Sequence, residues 1–163
     1  MADAEELPFK ENTFGMVYAW GVLHHTPNTE KALKEIYRVL EPSGSIKIMI
    51  YHVPSWTGWM LWVRFSLLGL RPWQSPREAI FRYLESPFTK AYTFQEAKAM
   101  LENAQFKEVK ISSVLGPGDL LYIRPSKKYQ AFIYRIFWLF YPRWLVRALG
   151  NRFGLELLLE AKK

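Results

Sequence analysis

Two apolar runs joined by an amphipathic helix, Phe14 to Tyr51, limit most narrowly what this chain can fold into. The first run, Phe14–Trp20, carries Met16, Val17, Tyr18 and Ala19 almost unbroken, the pattern of a strand covered on both faces. Asn28 or Thr29 then offers a helix cap, and Glu30 sits in the first turn, where the helix dipole favours an acid. Ala32, Leu33, Ile36, Tyr37 and Leu40 recur at helical spacing, while Glu30, Lys31, Lys34, Glu35 and Arg38 take the opposite face. Pro42-Ser43-Gly44 stops the helix, and Ile46–Tyr51 reads as a second buried strand. Strand, helix and strand with short connections form a crossover unit, which dictates a parallel pair and a right-handed connection.

Further along, Thr93-Phe94-Gln95-Glu96 matches a capping box, and Phe94, Ala97, Leu101 and Ala104 follow at helical spacing. "FKEVKISSVL" alternates like a strand with one wet face, and "FGLELLLEAKK" closes the chain as a last, leucine-rich strand. Two aromatic-rich stretches, Gly58–Trp73 and Tyr129–Gly150, read as helices interrupted by arginines and prolines. A membrane span needs about 20 uninterrupted apolar residues. Arg64 breaks the first stretch, and Arg135 and Pro142 break the second, so neither is expected to span. Covering a core, walling an apolar substrate pocket and resting on a membrane surface all stay open as roles.

The 163 residues suit a single domain, and half of them are apolar, which excludes a disordered chain. No cysteine is present, so disulfides and thiol chemistry are excluded. "MADAEELPF" puts acids where a secretory signal would carry positive charge, and the expected location is cytoplasmic. The formal net charge is +7, yet the excess comes from the second half, where Arg135, Arg143, Arg147 and Arg152 are scattered among aromatics. A nucleic-acid footprint is normally a dense basic stripe, so no specific nucleic-acid partner is expected. An anionic membrane surface, through peripheral contact, or an acidic cofactor suits this distribution at least as well.

The segment Asp3–Tyr51, "DAEELPFKENTFGMVYAWGVLHHTPNTEKALKEIYRVLEPSGSIKIMIY", resembles class I S-adenosylmethionine-dependent methyltransferases, in the branch that includes the quinone-biosynthesis C-methyltransferases. Carrying the resemblance are the acid-alanine-glutamate start, the leucine-proline-phenylalanine after it, and the strand ending in a histidine-rich turn. A helix closing on Arg38-Val39-Leu40, then Pro42 and Gly44, completes the pattern. From Thr93 onward the likeness is one of topology only. The implied fold is α/β, a partial Rossmann-like methyltransferase fold with a mostly parallel sheet, an antiparallel last strand and helical insertions. Residues 1–163 then form one domain: a core over 1–52, a helical insert or lid over 53–92, helix and strand over 93–116, an aromatic insert over 117–150, and the last strand over 151–163.

The resemblance also implies residue roles. Asp3 matches the acid that accepts a hydrogen bond from the adenine amino group, with the backbone of Ala4 and Glu5 at the ring edge. Trp20, Gly21 and Val22 match the carboxyl end of the family's fourth strand, beside the methionine part of S-adenosylmethionine. Gly21 would let the backbone approach the ligand closely. The family's glycine-rich loop and its ribose-binding acid have no counterpart; Gly116 and Gly118 follow a late strand instead. The expectation is therefore the C-terminal portion of a methyltransferase, truncated, with an incomplete cofactor site and no activity as this chain. Gly15 stands where the family usually has aspartate, and Gln105 where a glycine usually ends the late helix.

His24-His25 is the most conspicuous pair. Adjacent histidines on an extended or turning chain are expected to point in different directions and chelate poorly, and no further zinc ligands are spaced around them, so no metal is expected. Their roles narrow to stabilising the turn or meeting the substrate. As catalytic base, His25 comes first and His52 second, because His52 ends the next strand at the same sheet edge. Tyr51, and Thr89, Lys90 and Tyr92 from a lid, are candidates for contact with a small-molecule acceptor. The carboxylates read as a solvated helix face, with no pair set for acid/base work. Methyl transfer asks mainly for alignment and exclusion of water, since the sulfonium is already a strong electrophile. The expected function is methyl transfer to a small or apolar acceptor, with Trp59, Trp62, Trp138 and Trp144 helping to wall its pocket. The alternatives are a non-catalytic interaction or dimerisation module, pairing with a second copy or a separately encoded N-terminal half, and a membrane-surface module.

Overall fold

In the computed structural model, residues 2–86, 88–122, 139–148 and 150–163 are described. β1 (Phe14–Trp20) leads through a short turn into α1 (Thr29–Val39) and then β2 (Leu40–His52). Asn28 caps α1 by accepting the backbone N–H of Lys31 at 3.0 Å, which resolves the choice of cap. β1 and β2 pair in parallel, as the crossover pattern requires. β2 is longer than the stretch Ile46–Tyr51 suggests. Phe14 faces Leu40 while Met16 faces Ser45, so Pro42-Ser43-Gly44 is an irregular loop within one strand, turned at Ser43 with φ +66°.

α2 (Trp56–Leu61) runs into a turn of π-helix over Trp62–Leu67, and α3 (Pro76–Tyr83) follows. α3 escaped the sequence reading, although Ser75 and Glu78 form a full capping box ahead of it. Then come β3 (Ala91–Tyr92), α4 (Phe94–Asn103), β4 (Lys107–Val114), α5 (Arg143–Ala148) and β5 (Glu156–Lys162). The sheet order is β1-β2-β5-β4, with β3 lying parallel against the carboxyl end of β2. β5 alone runs against its neighbours, so the antiparallel last strand is where the resemblance implied it. α4 begins at the Thr93–Glu96 capping box. It ends in a Schellman arrangement: Phe106 N–H donates to Leu101 O and Gln105 N–H to Glu102 O, with Gln105 at φ +71°.

One face of the sheet is closed. Ile46, Ile48 and Ile50 of β2 and Leu157 and Leu159 of β5 lie under Leu33 and Ile36 of α1 and Ala97 and Leu101 of α4, all buried. Each buried Leu or Ile side chain here contributes about 1.5–3 kcal/mol of transfer free energy. The opposite face is covered only in part, where Met49, Tyr51 and Val53 meet Ile80 of α3 and Leu61 of α2. Here the sequence expectation needs correction. β1 is an edge strand covered on one face, and Met16, Tyr18 and Trp20 are 55%, 63% and 47% exposed. The reason is positional: α2 and α3 pack over β2, and nothing among the described residues reaches across β1.

The insert around α2 is pinned by Asp119, whose carboxylate is wholly buried. Oδ1 accepts from the backbone N–H and hydroxyl of Thr57, and Oδ2 from the N–H groups of Gly116 and Leu155. Four donors around one carboxylate satisfy a charge that burial would otherwise forbid. Gly116-Pro117-Gly118 therefore forms a packed corner around Asp119. In the second aromatic stretch, Tyr141 and Val146 pack on Leu120 and Leu121, while Arg135 and Trp138 lie outside the described residues. No helix among the described residues is long and apolar enough to cross a membrane.

Candidate functional site

The carboxyl ends of the parallel strands β1 and β2 lie side by side, and the turn after β1 closes over them. Gly21 sits there at φ +70°, with its N–H donating to Met49 O at 3.2 Å. A Cβ at this position would meet only Met49 Cε at 3.6 Å, so the left-handed backbone, rather than crowding, demands glycine. Trp20 and Val22 flank it, 47% and 49% exposed. Asp3 is also exposed, its Oδ1 accepting the N–H of Glu5 at 2.9 Å. Ala4 packs at the margin of the core, and the Glu5 carboxylate accepts the N–H of Asn28. The N-terminal segment is thereby tied to the start of α1, the helix that follows the histidine turn.

Leu23–His25 form one turn of 3₁₀-helix. This overturns the premise that adjacent histidines here must point apart: the tight turn brings the two rings to 4.2 Å between centroids. His24 is fully buried, its ring 4.1 Å from that of Tyr51, and neither ring nitrogen has a hydrogen-bond partner. Burial, with a smaller contribution from the charge of His25, pulls its pKa down to about 3, so it is a neutral imidazole at physiological pH. His25 is partly exposed. Its Nε2 lies 3.6 Å from Glu85 Oε2 and its Nδ1 3.4 Å from Ser86 Oγ. Tyr51 donates its hydroxyl to Glu85 Oε1 at 2.7 Å, and burial first, then Glu85, raises the pKa of that phenol. Glu85 thus stands between Tyr51 and His25, a role no spacing rule announces for a lone acid in "LESPF".

His52 does not share this cluster. It ends β2 as expected, but alternation along the strand turns its ring to the other face of the sheet. There it packs against Phe94 of α4, and Nδ1 sits 3.0 Å from the backbone O of Gly154. It is buried, and burial lowers its pKa. Its surroundings are those of a core histidine. The lid candidates are also anchored. Thr89 is buried and donates to Ser86 O; Lys90 Nζ donates to the carbonyls of Thr26 and Pro27; the Tyr92 hydroxyl donates to Thr29 Oγ1. The three side chains lie along a shallow cleft of about 180 Å³ that Arg77 and Phe81 complete. Their hydrogen bonds fasten the β3 segment to the histidine turn, which holds Glu85 and Ser86 near His25. Trp59 is exposed and Trp62 meets it edge to face at 5.5 Å, while Trp144 is 74% exposed.

A mostly parallel sheet with one reversed strand, and a glycine-hinged turn at the carboxyl end of its edge strand, is a Rossmann-like arrangement. Residues 1–48 match the family described as "Methyltransferase domain". A demethylmenaquinone methyltransferase from Lactobacillus johnsonii is 31% identical over 128 residues, which cover 72% of this chain and 50% of that protein. A ubiquinone/menaquinone biosynthesis C-methyltransferase from Blochmanniella pennsylvanica is 48% identical over 54 residues, 33% of this chain and 21% of that protein. A solved S-adenosylmethionine-dependent methyltransferase from Thermotoga maritima superposes on 99% of this chain and 62% of its own, with a TM-score of 0.59 and 20% identity, a likeness of fold. In fold, and in sequence over residues 1–48, the chain is similar to the class I S-adenosylmethionine-dependent methyltransferases. It spans half or less of the length of these two curated relatives.

Proposed function

We propose that the chain serves S-adenosylmethionine-dependent methyl transfer to a small or apolar acceptor, at the carboxyl ends of β1 and β2. The observation that carries this reading is Gly21: a strand-end glycine at φ +70°, beside a turn that sets His25, Glu85 and Tyr51 together. The cofactor would lie along Trp20, Gly21 and Val22, with Asp3 accepting from the adenine amine and the backbone of Ala4 and Glu5 at the ring edge. His25 is the base for an acceptor that must lose a proton, with the Glu85 carboxylate stabilising the imidazolium. Tyr51 orients Glu85, and Thr89, Lys90 and Tyr92 position the lid. An apolar acceptor, of the quinone kind that the names of the Lactobacillus and Blochmanniella relatives carry, fits the aromatic surroundings. Among the described residues no glycine-rich loop adjoins β1, so we expect the cofactor to be held weakly by this chain alone.

Calorimetric titration with S-adenosylhomocysteine tests the reading. Weak binding, lost in Gly21→Val, supports it; no heat at about millimolar ligand, the weak limit of specific binding, rejects cofactor binding by this chain.

A second reading has its own observation. Among the described residues β1 is an edge strand with Met16, Tyr18 and Trp20 exposed on one face, which suits pairing with another copy or a separate polypeptide. Sedimentation at increasing concentration separates the readings, since a constant monomer leaves self-pairing without support. Peripheral membrane contact is favoured by Leu68, Leu70 and Trp73, which are 74%, 83% and 77% exposed beside Arg71.

A further inference from the structure

We propose that His24, His25 and Glu85 bind a divalent transition-metal ion of the zinc class. One ligand atom from each residue lies within 4.8 Å of the other two. The argument begins with His24, which is 0% exposed and leaves both ring nitrogens without a partner. Burying an imidazole without a hydrogen bond forfeits solvation that the fold ordinarily recovers with a carbonyl, a hydroxyl or a carboxylate. Here the Tyr51 ring and the His25 ring lie against His24, 4.1 and 4.2 Å between centroids. The Tyr51 hydroxyl is given to Glu85. A metal ion supplies the missing partner.

The donor set states the class of ion. Two neutral imidazoles and one carboxylate suit zinc, cobalt, nickel or ferrous iron, whereas calcium and magnesium ask for oxygen ligands. Three protein ligands leave one position of a tetrahedron open to water or a ligand. The surroundings also orient the donors. Tyr51 occupies Glu85 Oε1 and turns Oε2 toward His25 Nε2, 3.6 Å away. Ser86 Oγ, 3.4 Å from His25 Nδ1, holds the other nitrogen of that ring. Tetrahedral zinc keeps its nitrogen and oxygen ligands roughly 3.4 Å apart. The widest separation must therefore close by roughly 1.4 Å, and the side chains of His25 and Glu85, 33% and 55% exposed, have room to do it. The inference concerns binding and does not depend on methyl transfer. A bound ion would occupy the His25 nitrogen that otherwise accepts a proton, so loaded and stripped protein would differ in any base-dependent step.

The test uses the full chain without a histidine tag, stripped with chelator and titrated with Zn²⁺ by calorimetry and with Co²⁺ by visible absorption. One equivalent of Zn²⁺ at micromolar affinity or better is expected, with the absorption bands of tetrahedral cobalt. Glu85→Gln and His25→Ala lie at the surface and should each weaken zinc at least tenfold, while Ca²⁺ and Mg²⁺ give no heat. His24→Phe should abolish the cobalt bands, with its fold checked by circular dichroism. Zinc binding of equal strength in wild type and in the Glu85→Gln, His25→Ala double variant would overturn the proposal, as would no binding at about millimolar zinc.

Discussion

Acidification should weaken the fold through His24 in a way that can be worked out. In the unfolded chain an imidazole titrates at 6.5, whereas burial holds His24 near 3 in the folded protein. Between those values the unfolded chain binds the extra proton, so stability is intact above pH 6.5 and falls as pH drops toward 3. Going from pH 7.5 to pH 5.0, the loss from this residue is about 2 kcal/mol, an order-of-magnitude figure from the two pKa values. His52, also lowered by burial, adds to the loss, and Glu156, raised by burial, offsets it. The isolating perturbation is His24→Phe, which keeps a ring against Tyr51 and removes the proton site. Both nitrogens are unpartnered, so the change should cost little at pH 7.5. Urea denaturation of chelator-treated wild type and variant at the two pH values gives the double difference. The wild type should lose about 2 kcal/mol more than the variant. Equal losses would mean that burial does not hold the His24 pKa below its unfolded value, and the reading of the turn would fail.

Three further expectations follow from the structure. Asp119→Ala leaves the N–H groups of Thr57, Gly116 and Leu155 without their acceptor in the interior and should cost about 3–5 kcal/mol in chemical denaturation; a loss under about 1 kcal/mol would mean water enters freely. Gln105→Gly relieves a left-handed φ of +71° at the end of α4 and should stabilise by about 1 kcal/mol in the same assay; a destabilised variant would contradict that backbone. Replacing Leu70 and Trp73 together by serine should abolish co-sedimentation with anionic vesicles at low salt, and undiminished pelleting would remove the membrane reading.

What the residues disclosed and what they concealed divide along one physical line. Features set by neighbours a few positions apart were legible: β1 at Phe14–Trp20, a cap at Asn28 or Thr29, and the Thr93–Glu96 capping box, while Gln105 stood out only through the resemblance. The first three rest on local rules of spacing or capping. That no described residue lies over one face of β1 was not legible, because an unbroken apolar run records that a strand's faces are apolar and not whether anything lies over them. His52 misled for a related reason: its place at a strand end was right, but facing is fixed by alternation from Tyr51, and the two residues belong to different sides of the sheet.

The candidate site escaped for the opposite reason, since it combines one very local fact with one distant one. A single 3₁₀ turn decides whether His24 and His25 diverge or converge, and no pattern in "VLHHTPN" separates that from an extended chain. Glu85 stands 60 residues from His25 in sequence, reaching it because Lys90 and Tyr92 bind the β3 segment to the turn at Thr26, Pro27 and Thr29. Lys90 and Tyr92, which the sequence offers as substrate contacts, also tie the cluster together. Loosening that tie should matter more than its exposure suggests: in Lys90→Met the carbonyls of Thr26 and Pro27 lose their donor, and Glu85 and Ser86 lose their fixed approach to His25. If the cluster is a metal site, Lys90→Met should weaken zinc although Lys90 is no ligand, and unchanged affinity would mean the turn and the lid hold their positions independently.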